Sequence, residues 1–87
     1  MVRNGDMVAV FHSVHRVMAA EKVLKGAGAD ILLIPVPRQL SSDCGLAIRY
    51  ARGEEAVVAA ALRDHGLQPA ELYVRNGDEF VRVALEP

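Results

Sequence analysis

The residues that could do chemistry in this chain start with Cys44, the single cysteine, set in Ser41-Ser42-Asp43-Cys44-Gly45. Serine, aspartate and glycine form loops, whereas a structural cysteine usually hides among Val, Leu and Ile. This context brings the sulfur toward the surface, where a thiolate is a nucleophile and a soft ligand. Other candidate groups lie elsewhere in the chain: His12-Ser13-Val14-His15 early on, and Arg38 just after Pro35-Val36-Pro37. A cation or a free helix N–H beside Cys44 would favour its anion. Asp43 would oppose it.

Each residue also has a plainer reading. Cys44 can be a small packing residue at the head of a strand. His12 and His15 can end a strand and decorate a first helical turn. His65 falls in a last helical turn, where a cation suits the dipole, and the structural reading wins there. Two histidines three apart plus one cysteine could bind a metal, but the third ligand would come from a distant loop and no fourth is evident, so a metal is the weaker reading. No metal and no cofactor is therefore expected. Nor is there a Gly-x-Gly-x-x-Gly or Walker loop.

The elements that must position these groups belong to a short chain. Its 87 residues, 52% of them hydrophobic, suit one domain over residues 1–87. The net charge is −1 with no run of like charge, which argues against nucleic acid as a partner. One cysteine cannot close an internal disulfide. No signal peptide or membrane span is evident, so a cytoplasmic protein with no membrane partner is the expectation.

Met7-Val8-Ala9-Val10-Phe11 is a continuous apolar run, as in a strand buried on both faces. Ser13 suits a helix N-cap, with Val14, Val17, Met18 and Leu24 on one face and Gly28 as the stop. Ile31-Leu32-Leu33-Ile34 is a second strand, ended by Pro35 and Pro37, either of which the sequence allows to be cis. Leu46–Tyr50 is a third. Gly53-Glu54-Glu55 opens a second helix that runs to Gly66. Glu71–Val74 and Glu79–Val83 make a hairpin about Asn76-Gly77. The order predicts an α+β, ferredoxin-like βαββαβ sandwich with an additional C-terminal strand.

In that topology the end of strand one, the start of helix one and the approach to Cys44 meet at one rim. His12, Ser13, His15, Arg38, Ser41, Ser42, Cys44 and Gly45 are the candidate site residues. Glu21 falls inside the apolar stripe of helix one and needs a partner: Lys25 one turn on, or Arg49 on the sheet. Val2-Arg3-Asn4-Gly5-Asp6 recurs as Val74-Arg75-Asn76-Gly77-Asp78, and the sequence offers no function for the repeat.

Phe11-His12-Ser13-Val14-His15, Ala20-Glu21-Lys22-Val23-Leu24, Ile34-Pro35-Val36-Pro37-Arg38 and Ser41-Ser42-Asp43-Cys44-Gly45 occur in this order and spacing. Together they resemble the selenium/sulfur carrier-like domains over roughly residues 7 to 74. The resemblance implies a carrier centred on Cys44, with Ser13 and His15 on the family's Ser-x-His element. A donor such as a cysteine desulfurase would place sulfur or selenium on Cys44, and an acceptor protein would remove it. That describes a carrier rather than a self-sufficient enzyme. Absence of a second cysteine fits, since no resolving thiol would discharge a persulfide internally. The alternative is a non-catalytic small-molecule-binding or protein-interaction module, because ferredoxin-like folds serve many functions. The sequence leaves the oligomeric state open.

Overall fold

The apolar run near the start of the chain becomes the spine of a sheet. In a computed structural model, which describes residues 2–40 and 44–85, β1 (Met7–Val10) is buried along its whole length. After it come α1 (Val14–Gly26), β2 (Ile31–Pro35), β3 (Leu46–Tyr50), a 3-10 turn (Arg52–Glu54), α2 (Glu55–Asp64), β4 (Glu71–Asn76) and β5 (Glu79–Val83). The five strands form one antiparallel sheet in the order β2-β3-β1-β4-β5. The expected α+β architecture with two helices is present, and β1 and β3 are the expected neighbours, with Val10 opposite Ala47.

Alternation along the strands divides the core into two layers. On one side Met7, Ala9, Phe11, Ile48, Tyr50 and Leu72 pack against Val17, Ala20 and Leu24 of α1 and Val58 and Leu62 of α2. On the helix-free side Val8, Val10, Ile34 and Ala47 are buried beneath Val2, Val36, Leu40, Tyr73 and Phe80. The loop after β2 thus serves as a cover: Val36 and Leu40 fold onto the sheet, with Leu40 N–H donating to the Pro37 carbonyl at 2.9 Å. Both Pro35 and Pro37 are trans.

Ser13 caps α1 as expected, its Oγ accepting from Arg16 N–H at 3.3 Å. The buried stripe differs from the predicted one. Val17, Ala20 and Leu24 face the sheet, while Val14 and Met18 are exposed. The small side chain of Ala20 lets the helix backbone settle close to the sheet, and that roll turns Val14 and Met18 outward. Glu21 pairs with Lys25 at 3.3 Å. Arg49 cannot serve it, because Arg49 points to the helix-free side and binds Asp6. Both helices end in Schellman turns: Gly28 N–H to Lys25 O and Ala29 N–H to Leu24 O, then Gly66 N–H to Arg63 O and Leu67 N–H to Leu62 O. Gly28 and Gly66 supply the positive φ these turns need.

The repeated pentapeptide has a structural explanation. Asn4 and Gly5 are the central residues of a turn closed by Asp6 N–H to Arg3 O at 3.0 Å. In the second copy the central pair is Gly77-Asp78, one residue later than the sequence suggests, with φ +64 at Gly77 as a II′ hairpin turn requires. The two copies then dock on each other. Gly5 N–H donates to Arg75 O at 2.8 Å and Gly77 N–H to Asn4 Oδ1 at 2.9 Å. The Arg75 guanidinium also reaches the Val2 carbonyl.

Asp6 anchors this end. Its Oδ2 accepts from Arg49 Nε at 2.8 Å and from Arg3 N–H at 2.9 Å. Burial by itself would raise the carboxyl pKa, but the Arg49 hydrogen bond, the Arg3 N–H and the two guanidinium charges outweigh it, and the net shift is downward. A carboxyl lowered in the folded state stabilises the fold above its unfolded pKa, near 4, and loses that contribution as pH falls through the folded value. Asp6→Asn is expected to cost about 1–3 kcal/mol at neutral pH, because it leaves the Arg49 guanidinium half-buried without its anion. It should also flatten the acid limb below about pH 4. Urea unfolding of wild type and variant between acid and neutral pH checks both; parallel curves would refute the role of this carboxylate.

Candidate functional site

The end of β1 turns abruptly into α1, and one residue makes the turn. His12 has φ +58, the only non-glycine among the described residues with positive φ. That conformation is costly for a residue with a Cβ and persists where the surroundings hold it. Phe11 on one side is locked in the core, and Ser13 on the other is fixed in extended conformation by its cap. The His12 ring is thereby held over the start of β4, with Nε2 3.7 Å from Glu71 Oε2. Its Nδ1 is buried and has no hydrogen-bond partner among the described residues.

Cys44 stands across the sheet end from this turn. The ladder between β2 and β3 closes with Pro35 opposite Leu46, and Val36 N–H then donates to Gly45 O at 3.0 Å. Gly45 adopts φ +71, a left-handed conformation glycine takes at little cost. This places Cys44 just outside the last rung. It is partly buried, packs against the helix-side core, and its Sγ lies 3.4 Å from the Leu46 carbonyl as donor. The sulfur is therefore neither a core residue nor a freely solvated one.

The topology brings several elements to this rim. Val10 lies opposite both Ala47 of β3 and Glu71 of β4, and its carbonyl accepts from Ala70 N–H at 2.8 Å. Arg16 in the first turn of α1 ties the segment after α2 to the same end, donating to Gly66 O at 3.2 Å and Gln68 O at 3.4 Å. Of the sequence-derived site residues, His12, Ser13, Cys44 and Gly45 thus sit on elements that meet here. The Ser13 oxygen accepts the cap hydrogen bond, and its O–H remains able to donate. His15 is exposed on α1, and Arg38 is exposed in the loop between Val36 and Leu40, which pack on the helix-free side. Neither side chain makes a hydrogen bond or ion pair among the described residues. Ser41 and Ser42 lie outside the described residues.

Sequence reasoning missed Glu71. Besides His12, it accepts from Tyr73 Oη at 2.9 Å and lies 3.9 Å from Arg82 Nη1. A signal for this cluster was present: Glu71 and Tyr73 alternate onto one face of a strand, and the tight hairpin puts Arg82 opposite Tyr73. Among the described residues no group of three or more His, Cys, Asp or Glu side chains is placed to hold a metal ion. Among the described residues, no helix is long and apolar enough to cross a membrane.

The model of the family described as "Putative Se/S carrier protein-like" matches residues 6–74, most of the chain and all of the elements that build the rim. No curated protein and no solved structure matches.

The two tyrosines offer a test of the geometry. Tyr73 is raised above its ordinary value, by burial first and then by the hydrogen bond and negative charge of Glu71, with Arg82 acting against them. Tyr50 is raised much further, by burial and by Glu55, whose carboxylate accepts its hydroxyl proton at 3.2 Å. A raised folded pKa stabilises the fold below the unfolded value of about 10 and ceases to do so as pH climbs through the folded one. In a spectrophotometric alkaline titration both should ionise above about pH 10, Tyr50 last. Glu71→Gln should lower the Tyr73 midpoint and leave Tyr50 in place. An unmoved Tyr73 midpoint would show that Glu71 does not hold this cluster.

Proposed function

The chain belongs to the Se/S carrier-like family, and from that membership we propose that it holds a sulfur or selenium atom on Cys44 and passes it from a donor protein to an acceptor. The observation that carries this reading is the setting of Cys44: the single cysteine of the chain, half-buried just beyond the last rung of β2 and β3. In the loading step the Cys44 thiolate attacks the terminal sulfur of a donor persulfide. The donor's S–S bond breaks, the donor leaves as a thiolate, and Cys44 carries the persulfide. An acceptor thiolate then attacks that outer sulfur, and Cys44 departs as the thiolate it began as. Selenium follows the same path as a perselenide. No net oxidation occurs, and no second cysteine is needed.

The rim's other groups have roles that follow from their chemistry. Ser13 O–H and the first N–H groups of α1 can stabilise a nearby anion. His12, held by its strained backbone and by Glu71, is a candidate hydrogen-bond donor to the departing thiolate. His15 and Arg38, both exposed, suit contact with a protein partner. A cysteine desulfurase is the proposed donor class, since it generates a protein persulfide. The strand order β2-β3-β1-β4 supports a ferredoxin-like βαββαβ reading with β5 as the addition. A cytoplasmic site of action accords with a carrier whose single thiol must stay reduced between rounds of loading.

Intact-mass analysis after incubation with a cysteine desulfurase and cysteine tests the proposal. The wild type is expected to gain the mass of one sulfur atom, reversibly with a thiol reductant. Cys44→Ser should gain nothing, because a hydroxyl cannot carry a persulfide. If an established carrier loads in the same reaction and this chain does not, the proposal fails.

A further inference from the structure

The fifth strand creates a cleft that the carrier reading does not use. Two helices suffice to cover β2, β3, β1 and β4, but β5 extends the sheet past the edge of α2. Between them lies a cleft of about 430 Å³, within the range of small-molecule sites. Its floor and walls are apolar: Met7, Val58, Leu62, Leu72, Val83 and Leu85 all contribute. Leu85 is exposed there, and Val81, on the same face of β5 as Val83, is exposed beyond the cleft lining.

The charges around it are distributed unevenly. Arg52 and Glu55 line the end near the start of α2, where their charges offset, and the Glu55 carboxylate already accepts the Tyr50 hydroxyl. At the other end Arg63 and Gln68 line the cleft with no carboxylate beside them in the lining. The Arg63 guanidinium makes no hydrogen bond or ion pair among the described residues. An apolar trough with a guanidinium and an amide at one end is complementary to an amphipathic anion.

We propose that this cleft binds a small amphipathic carboxylate, its acid group on Arg63 and Gln68 and its apolar body along Leu62, Leu72 and Val83. The charge asymmetry sets the orientation, because at the opposite end Arg52 is accompanied by the Glu55 carboxylate. A neutral molecule of the same apolar length gains the trough but not the guanidinium.

Decanoate, kept below its micellar concentration, is the probe, and decanol is its neutral counterpart. Titration of the full chain followed by amide NMR is expected to show saturable shifts at Val58, Leu62, Leu72 and Val83. Arg63→Ala, a change at an exposed position, should weaken decanoate about fivefold, the size expected of a solvent-accessible charge contact. It should leave decanol unchanged, and Arg63→Lys should restore part of the loss. Absence of saturable shifts, shifts located elsewhere, or equal decanoate affinity in wild type and Arg63→Ala would each overturn the proposal. Cys44→Ser should bind decanoate like the wild type, so this result and sulfur loading stand or fall separately.

Discussion

Burial of β1 on both faces is the constraint from which the rest follows. Met7 and Ala9 face the helices, while Val8 and Val10 face the opposite way, and all four are nearly inaccessible to water. Each large side chain buried this way contributes about 1.5–3 kcal/mol relative to exposure. A strand so apolar must also have its N–H and C=O groups paired on both edges. Antiparallel β3 and β4 supply that pairing. The helices cover one face. The other needs a cover too, and the chain makes one from Val2, the loop residues Val36 and Leu40, and the side chains of Tyr73 and Phe80.

The same constraint places the chemistry. Because β1 lies between β3 and β4, its last residues emerge beside the first residues of both. His12 turns there in left-handed conformation, Ser13 starts α1, and Cys44 precedes β3. The loop that carries Cys44 packs on the helix-free face at Leu40 and on the helix-side core at Cys44. A thiol packed against the core and hydrogen-bonded to a carbonyl, yet partly open to water, suits a group that must be reached by one protein and then another. The far end of the sheet is built for rigidity instead, with the Asp6–Arg49 pair and the two interlocked Val-Arg-Asn-Gly-Asp turns.

Much of this could be read from residue order. Continuous apolar character identified β1, Ser13 identified its helix, and the succession of elements implied that strands one and three are neighbours. The misses have physical causes. The α1 stripe was read from hydropathy alone, which gives Val14 and Met18 more weight than Ala20. Packing reverses that weight, since a small residue permits close approach. The hairpin turn shifted by one residue because glycine suits either central position, and docking against Asn4 selects one. Glu71 escaped notice because two of its partners, His12 and Arg82, come from other segments of the chain. Topology put Arg38 at the rim with the thiol, and the structure shows it exposed between Val36 and Leu40, which pack on the helix-free face. The cleft beside α2 follows from β5, whose uncovered face no motif announces.

The central claim is that Cys44 carries a sulfur that can be handed on. Cyanolysis of the loaded protein tests this directly, because cyanide attacks the outer atom of a persulfide, releases thiocyanate and returns the thiol. The account predicts up to one thiocyanate per chain, since there is one cysteine, with the mass of the chain restored to its unloaded value. Sulfur that stays on the chain after cyanide, or thiocyanate released equally from Cys44→Ser, would contradict it.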